Sequence, residues 1–194
     1  MGLVERPRSS RGWNCERQIS ERLHRVIEAE IPKLRRYARA LTRDLVRADD
    51  LVQNSLVRAI AKQHLWQPGT DLRAWLFTIL HHQNVNDVRS ASRRGDGVPV
   101  EKVAPTLVAL SDPTAALQIR DLERAMAALP EGQRQVILLV GLEGMRYEEV
   151  ATILRIPIGT VRSRLSRGRE TLRILMDVSG RASVSPERPA YRAA

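Results

Sequence analysis

Arg162, Ser163, Arg164, Ser166, Arg167 and Arg169 fall within eight consecutive residues. A guanidinium can donate two parallel hydrogen bonds to O6 and N7 of guanine, and a serine hydroxyl can donate or accept at a base edge in the major groove. Neighbouring arginines add affinity by displacing counterions from phosphates. Laid out at about 100° per residue, Val161, Leu165, Gly168 and Leu172 share one side of a helix. Arg162, Ser163, Ser166, Arg167, Glu170 and Arg173 share the other. Arg164 and Arg169 lie on the flanks, where phosphates are met, and Thr160 stands at the start. Residues 155–173 hold six Arg and one Glu, a local charge of +5, half of the chain's formal net +10. A basic surface spread evenly along the chain would not concentrate charge in this way.

A helix of this kind needs a partner to hold it. Just before it, Val150, Ala151 and Leu154 form an apolar stripe on a short helix. Arg155-Ile156-Pro157 interrupts that helix, because proline disfavours helical geometry in the residue before it. Short helix, tight turn and longer helix is the helix-turn-helix arrangement. Helices are predicted over about 131–141, 147–154 and 158–176, preceded by one that starts at Asp112-Pro113, a cap followed by proline at the first helical position.

The first half of the chain is also helical. Ile19, Leu23, Val26, Ile27, Ile31, Leu34, Ala38 and Leu41 recur at spacings of three and four, and Pro32 is a candidate kink. A second stretch, from Asp44 to about His64, places Leu45, Val52, Leu56 and Ile60 on one side, with Asp49, Asp50, Gln53, Asn54 and Arg58 mostly elsewhere. After a turn at residues 66–70, with Thr70 or Asp71 as cap, a third stretch begins apolar and ends polar. Its later residues, His81, His82, Gln83, Asn84, Asn86 and Arg89, can contact bases and phosphates, whereas Trp75 and Phe77 are expected in the core.

The expected organisation is all-α: two small helical domains joined by a flexible linker. The assigned spans are a basic arm over 1–18, a first domain over 19–90, a Pro- and Gly-rich linker over 91–112, a helix-turn-helix domain over 113–177 and a disordered tail over 178–194. The 194 residues, 43% hydrophobic and 28% charged, exclude collagen-like and wholly disordered chains. No apolar run approaches the roughly 18 residues that cross a bilayer, so no membrane insertion is expected. The lone Cys15 forms no internal disulfide and suits a reducing cytoplasm. Cofactors and metals are not expected. His81 and His82 are adjacent and diverge by about 100° on a helix, and no i, i+4 His pair or Cys cluster accompanies them.

Three segments together resemble the extracytoplasmic-function (ECF) sigma factors, compact promoter-recognition subunits of bacterial RNA polymerase. Asp49-Asp50-Leu51-Val52-Gln53-Asn54-Ser55 looks like the family's polymerase-binding helix. Leu72-Arg73-Ala74-Trp75-Leu76-Phe77-Thr78-Ile79 looks like the start of its −10-element helix. Leu129-Pro130, Tyr147-Glu148-Glu149-Val150-Ala151 and Pro157-Ile158-Gly159-Thr160-Val161-Arg162-Ser163-Arg164-Leu165 look like its −35 module. The resemblance implies that Asp49, Asp50, Gln53 and Asn54 bind polymerase, Asp50 and Gln53 gripping the clamp helices of the largest subunit. It implies that Arg162, Ser163, Ser166 and Arg167 face the −35 bases, and that the segment around 79–87 captures an unstacked −10 base. The family commonly has Glu at the position of Asn54 and Asn at that of His82. Implied partners are core RNA polymerase, through clamp helices and flap region, promoter DNA, and an anti-sigma factor. The residues alone leave open a conventional helix-turn-helix regulator that binds duplex DNA unaided. An enzyme lacks the constellations its chemistry would need.

Overall fold

The computed structural model describes residues 10–67, 69–94 and 113–183. Seven α-helices run through these residues, with no strand among them. They are α1 (Ser10–Thr42), α2 (Leu45–Ala61), α3 (Leu72–Arg94), α4 (Pro113–Ala128), α5 (Glu131–Ile137), α6 (Tyr147–Leu154) and α7 (Ile158–Ser183). The all-α architecture matches the sequence reading. The helices extend beyond several predicted limits. α1 starts at Ser10, inside the span assigned to a loose arm, and passes through Pro32 without a break. α3 runs to Arg94, four residues into the span assigned to the linker, and α7 runs to Ser183, into the span assigned to the tail. Residues 1–9, 95–112 and 184–194, with the rest of those three assignments, lie outside the described residues.

In the first module α1, α2 and α3 pack on one another. Arg43 adopts a left-handed conformation, φ 57°, and ends α1 by donating its N–H to the Arg39 carbonyl. Asp44 then caps α2, its carboxylate accepting from the Arg47 N–H at 3.0 Å. The carboxylate of Asp71 does the same for α3, accepting from the Ala74 N–H at 3.1 Å. Thus a cation and two short acids set the turns, and apolar residues fix the faces.

The buried face of α2 is Ala48, Leu51, Val52, Ser55 and Ala59. This corrects the expected stripe: Leu45 and Ile60 are 42% and 45% exposed, and Leu56 is only partly buried. Ser55 can occupy the interior because its hydroxyl donates to the Leu51 carbonyl at 2.7 Å, which satisfies the buried polar group. Small residues on this face let α1 and α3 approach. Tyr37 and Phe77 meet at the centre, both fully buried, with ring centroids 5.3 Å apart and tilted planes. Trp75 packs against the same core without full burial.

In the second module α5 and α7 form the main contact, with α4 and α6 against α7. Val161 and Leu165 are buried, as the helical layout predicts, and Gly168 is buried beside them. A Cβ on Gly168 would lie 2.6 Å from Ile137 Cδ1 and 3.3 Å from Gln133 Cβ. The absent side chain therefore allows the close crossing of α5 and α7. α5 does not end at Ile137; it widens into a π-helical turn over Leu138–Leu142. Glu143 closes that turn by donating its N–H to the Leu138 carbonyl, five residues back. Buried residues of both modules, from Ile27 to Leu165, belong to one apolar cluster.

Candidate nucleic-acid interface

The helix-turn-helix is built by α6 and α7. Glu149 accepts from the Arg146 backbone N–H and from its Nε, each at 2.8 Å, and so secures the start of α6. Arg155 ends α6 in a left-handed conformation, φ 53°. The Ile156 N–H returns to the Ala151 carbonyl at 3.1 Å, and Pro157 supplies its carbonyl to the N–H groups of Thr160 and Val161. The turn is three residues long, and both of its backbone N–H groups are engaged, the Arg155 N–H by the Thr152 carbonyl at 3.3 Å.

With Val161 and Leu165 anchored inside, α7 turns Arg162, Ser166, Arg167 and Arg169 outward, and all four are exposed. Ser163 and Thr160 are half-buried, the Ser163 hydroxyl donating to the Thr160 carbonyl at 3.1 Å. Arg164 is half-buried and lies along α5: a Cβ on Gly132 would come within 3.0 Å of its Nη1. Arg173 is engaged by Glu170 at 2.6 Å. The free outward cations are thus concentrated near the start of α7. Tyr147, the first residue of α6, shares a shallow cleft with Arg162, Ser166 and Arg169. The sequence marks it only as part of the α6 motif, and the packing of α6 on α7 sets it in this cleft.

The polymerase-binding candidates divide. Asp50, Gln53 and Asn54 are exposed on α2. Asp49 faces α1, with Arg39 Nη2 at 3.7 Å and Arg35 Nε at 3.9 Å. Val46 (71% exposed) and Val57 (66%) continue the exposed line through Asp50 and Gln53 to Ile60. These five residues recur at spacings of four, three, four and three, the register with which one helix packs along another.

The candidates on α3 also divide, and not all of the residues expected to contact bases and phosphates are exposed. Asn86 and Arg89 are exposed and His82 is partly so. His81, Gln83 and Asn84 are buried, 8%, 9% and 5% exposed. Gln83 and Asn84 continue the buried stripe of Leu76, Phe77 and Leu80, and α6 of the second module also packs against α3. Burial, together with the nearby charges of His82 and Arg155, pushes the His81 imidazole down to about 4. Burial and Arg155 also lower His82. Gln83 donates to Asp87 at 2.9 Å. Among the described residues no group of three His, Cys, Asp or Glu could hold a metal, and no helix is long and apolar enough to cross a membrane.

Comparison with known proteins follows the same division into modules. Residues 27–81 match the family model for the sigma2 domain of PhyR, and residues 119–172 match that for region 4 of sigma-70. The ECF RNA polymerase sigma factor EcfG of Rhodopseudomonas palustris is 38% identical over 172 residues, which cover 87% of this chain and 93% of that protein. The sigma factor RpoE of Bartonella quintana, solved with the anti-sigma factor NepR, aligns with a TM-score of 0.71 and 36% identity, over 80% of this chain and 96% of that one. CnrH, solved with the cytosolic domain of CnrY, shares the fold at 24% identity and a TM-score of 0.61, over 82% of this chain and 90% of that one. Two sigma-type modules in order, and a full-length relative at this identity, place the chain in one family: it belongs to the ECF sigma factors of RNA polymerase.

Proposed function

We propose that the protein binds core RNA polymerase and directs it to promoters through two separate DNA contacts. The observation that carries this reading is the outward face of α7, where Arg162, Ser166, Arg167 and Arg169 stand exposed on a helix held by Val161 and Leu165. That face suits the −35 element as duplex, with Arg162 and Arg167 toward bases and Arg169 toward phosphate. The stripe of Val46, Asp50, Gln53, Val57 and Ile60 on α2 suits the clamp helices of the largest polymerase subunit, because its mixed apolar and polar register fits a helical partner. The α3 face around His81, His82, Gln83 and Asn84, with Asn86 and Arg89, contacts the −10 element and holds a nontemplate base as the duplex opens. Capture offsets an unstacking cost of a few kcal/mol. Tethering makes the two short sites act together. The protein works as a non-catalytic specificity subunit in the cytoplasm.

An anti-sigma factor is the natural inhibitor, as one accompanies RpoE of Bartonella quintana. A groove of about 770 Å³ between the modules supports such a partner: Leu122, Met126 and Leu142 line it beside Arg39 and Arg43. An amphipathic segment with an acidic rim matches that lining.

Transcription in vitro with purified core polymerase and a random promoter library tests the function. The expected result is initiation that depends on the protein and reveals paired −35 and −10 motifs. Tight binding to a defined duplex without polymerase, and no gain in initiation with it, would instead identify a conventional regulator.

A further inference from the structure

Glu143 has a fully buried side chain, and every partner that holds it comes from the other module. Arg36 grips the carboxylate with both prongs, Nε to Oε1 and Nη2 to Oε2, each at 3.0 Å. Arg73 adds Nη2 to Oε2 at 2.9 Å and to the Glu143 carbonyl oxygen at 2.6 Å. Arg36 also reaches the Leu142 carbonyl at 3.3 Å. Arg73 is held in turn by Glu30 at 3.5 Å and lies 5.7 Å from the centre of the Phe77 ring. The π-helical turn aims Glu143 into this clamp, and the docking it fixes also lays α6 on α3.

We infer that the protein has a self-covered closed state, in which the second module shields the −10 face of α3 and the Glu143–Arg36–Arg73 cluster is the latch. The meaning of the shielded face rests on the proposed role of α3 in DNA contact; the latch itself does not. In the docked arrangement α6 lies on α3 and its terminal Arg155 acts on His81 and His82, and His81, Gln83 and Asn84 are too buried to reach an extruded base. The chemistry of the latch suits a reversible device. A buried ion pair roughly recovers the cost of desolvating its charges, so it adds little net stability but defines one geometry. Neutralising Glu143 removes the carboxylate that both guanidinium groups share, and removing Arg36 leaves the buried carboxylate with Arg73 alone, so either change shifts the balance toward opening, where water can reach the charge. DNA contact by α3 and module docking therefore exclude each other, and a partner that binds the separated modules must supply the free energy of release.

The test uses the full chain without polymerase. Donor and acceptor dyes are placed at exposed positions of separate modules, Val57→Cys and Ile174→Cys, with Cys15→Ser to remove the native thiol. Single-molecule energy transfer should show one dominant high-efficiency population. Glu143→Gln and, separately, Arg36→Gln should each enlarge a low-efficiency population by roughly ten-fold or more, with helical circular dichroism retained. Arg36 is half exposed, so its variant decides the matter if Glu143→Gln fails to fold. An unchanged distribution in the folded variants overturns the latch. Binding of a fluorescent single-stranded oligonucleotide of random sequence is measured alongside. A rise in binding with opening supports the shielded face. Opening without any rise keeps the latch and removes the reading of α3 as a DNA-contacting helix.

Discussion

The outer face of α7 and the polar face of α3 carry side chains suited to the same polymer, and the fold treats them differently. On α7, Arg162, Ser166, Arg167 and Arg169 stand in solvent, because Val161 and Leu165 bury the opposite side within their own module. On α3, His81, Gln83 and Asn84 are buried, and a helix of the other module packs against the same helix. The first face is built by local rules alone; the second lies on a helix where the modules dock. Under the proposed function, a duplex contact is available from the start, whereas a single-strand contact has use only after the duplex opens.

The largest effect that should sharpen this contrast comes from the open face. Arg162→Ala with Arg167→Ala should weaken −35-dependent initiation by about 100-fold or more, since each bidentate guanine contact contributes about 1–3 kcal/mol. Initiation on matched promoters with and without the −35 motif measures it. Equal loss on both would mean that α7 serves something other than upstream reading.

Acid should act on the covered face. His81 is held neutral with its imidazole at about 4, against about 6.5 in an unfolded chain. Between those values the unfolded or open form takes up the proton that the closed form refuses. Stability is therefore greatest above pH 6.5, falls as pH drops toward 4 and levels off below it, by at most about 3 kcal/mol. Urea unfolding between pH 7 and 5 reads the slope before most carboxylates titrate. His81→Gln should reduce it, the remainder coming from His82, which is lowered in the same direction; an unchanged slope would assign the proton elsewhere.

Packing beneath the open face gives a smaller effect. Gly168→Leu should destabilise the second module by about 1–3 kcal/mol through overpacking against Ile137, seen as a lower melting temperature. Gly168→Ala should be milder, because the clash is with the end of a flexible side chain and alanine favours the helix. The smallest change is expected on α2. Asn54→Glu restores the residue usual in the family and should raise core-polymerase affinity a few-fold, about 0.5–1 kcal/mol, in fluorescence anisotropy; Asp50→Ala should lower it by a similar factor.

The helices of both modules were legible in the sequence because their signals are local. Val161, Leu165 and Gly168 at helical spacing identified the inner side of α7, and Arg155-Ile156-Pro157 marked its turn. α2 was read less well. Its true inner face uses Ala48, Ser55 and Ala59, which weigh little as hydrophobes, while the larger Leu45 and Ile60 face outward. Ser55 enters the core only because its hydroxyl finds a carbonyl one turn back. Gln83 and Asn84 stand at helical spacing from Leu76, Phe77 and Leu80, but their polarity hid that they continue the inner face, and the packing of α6 on α3 joins segments more than fifty residues apart. Glu143 was equally silent. Its arginines lie 107 and 70 residues earlier in the chain, and an isolated acid between Leu142 and Gly144 looks like any loop residue. Tyr147 belongs to a motif without standing out as a site, because only the assembled turn sets it beside Arg162 and Arg169.

The widened turn at Leu138–Leu142 has a consequence for how such a chain can change over generations. Each residue in a helix advances the winding by about 100°. Losing a single position there would restore ordinary winding and swing the carboxylate away from both guanidinium groups, while α5 and the turn-and-reading pair beyond it could fold as before. If the inferred latch holds, one codon would thus be enough to loosen the closed state, or to reset it, without altering any exposed residue of α7.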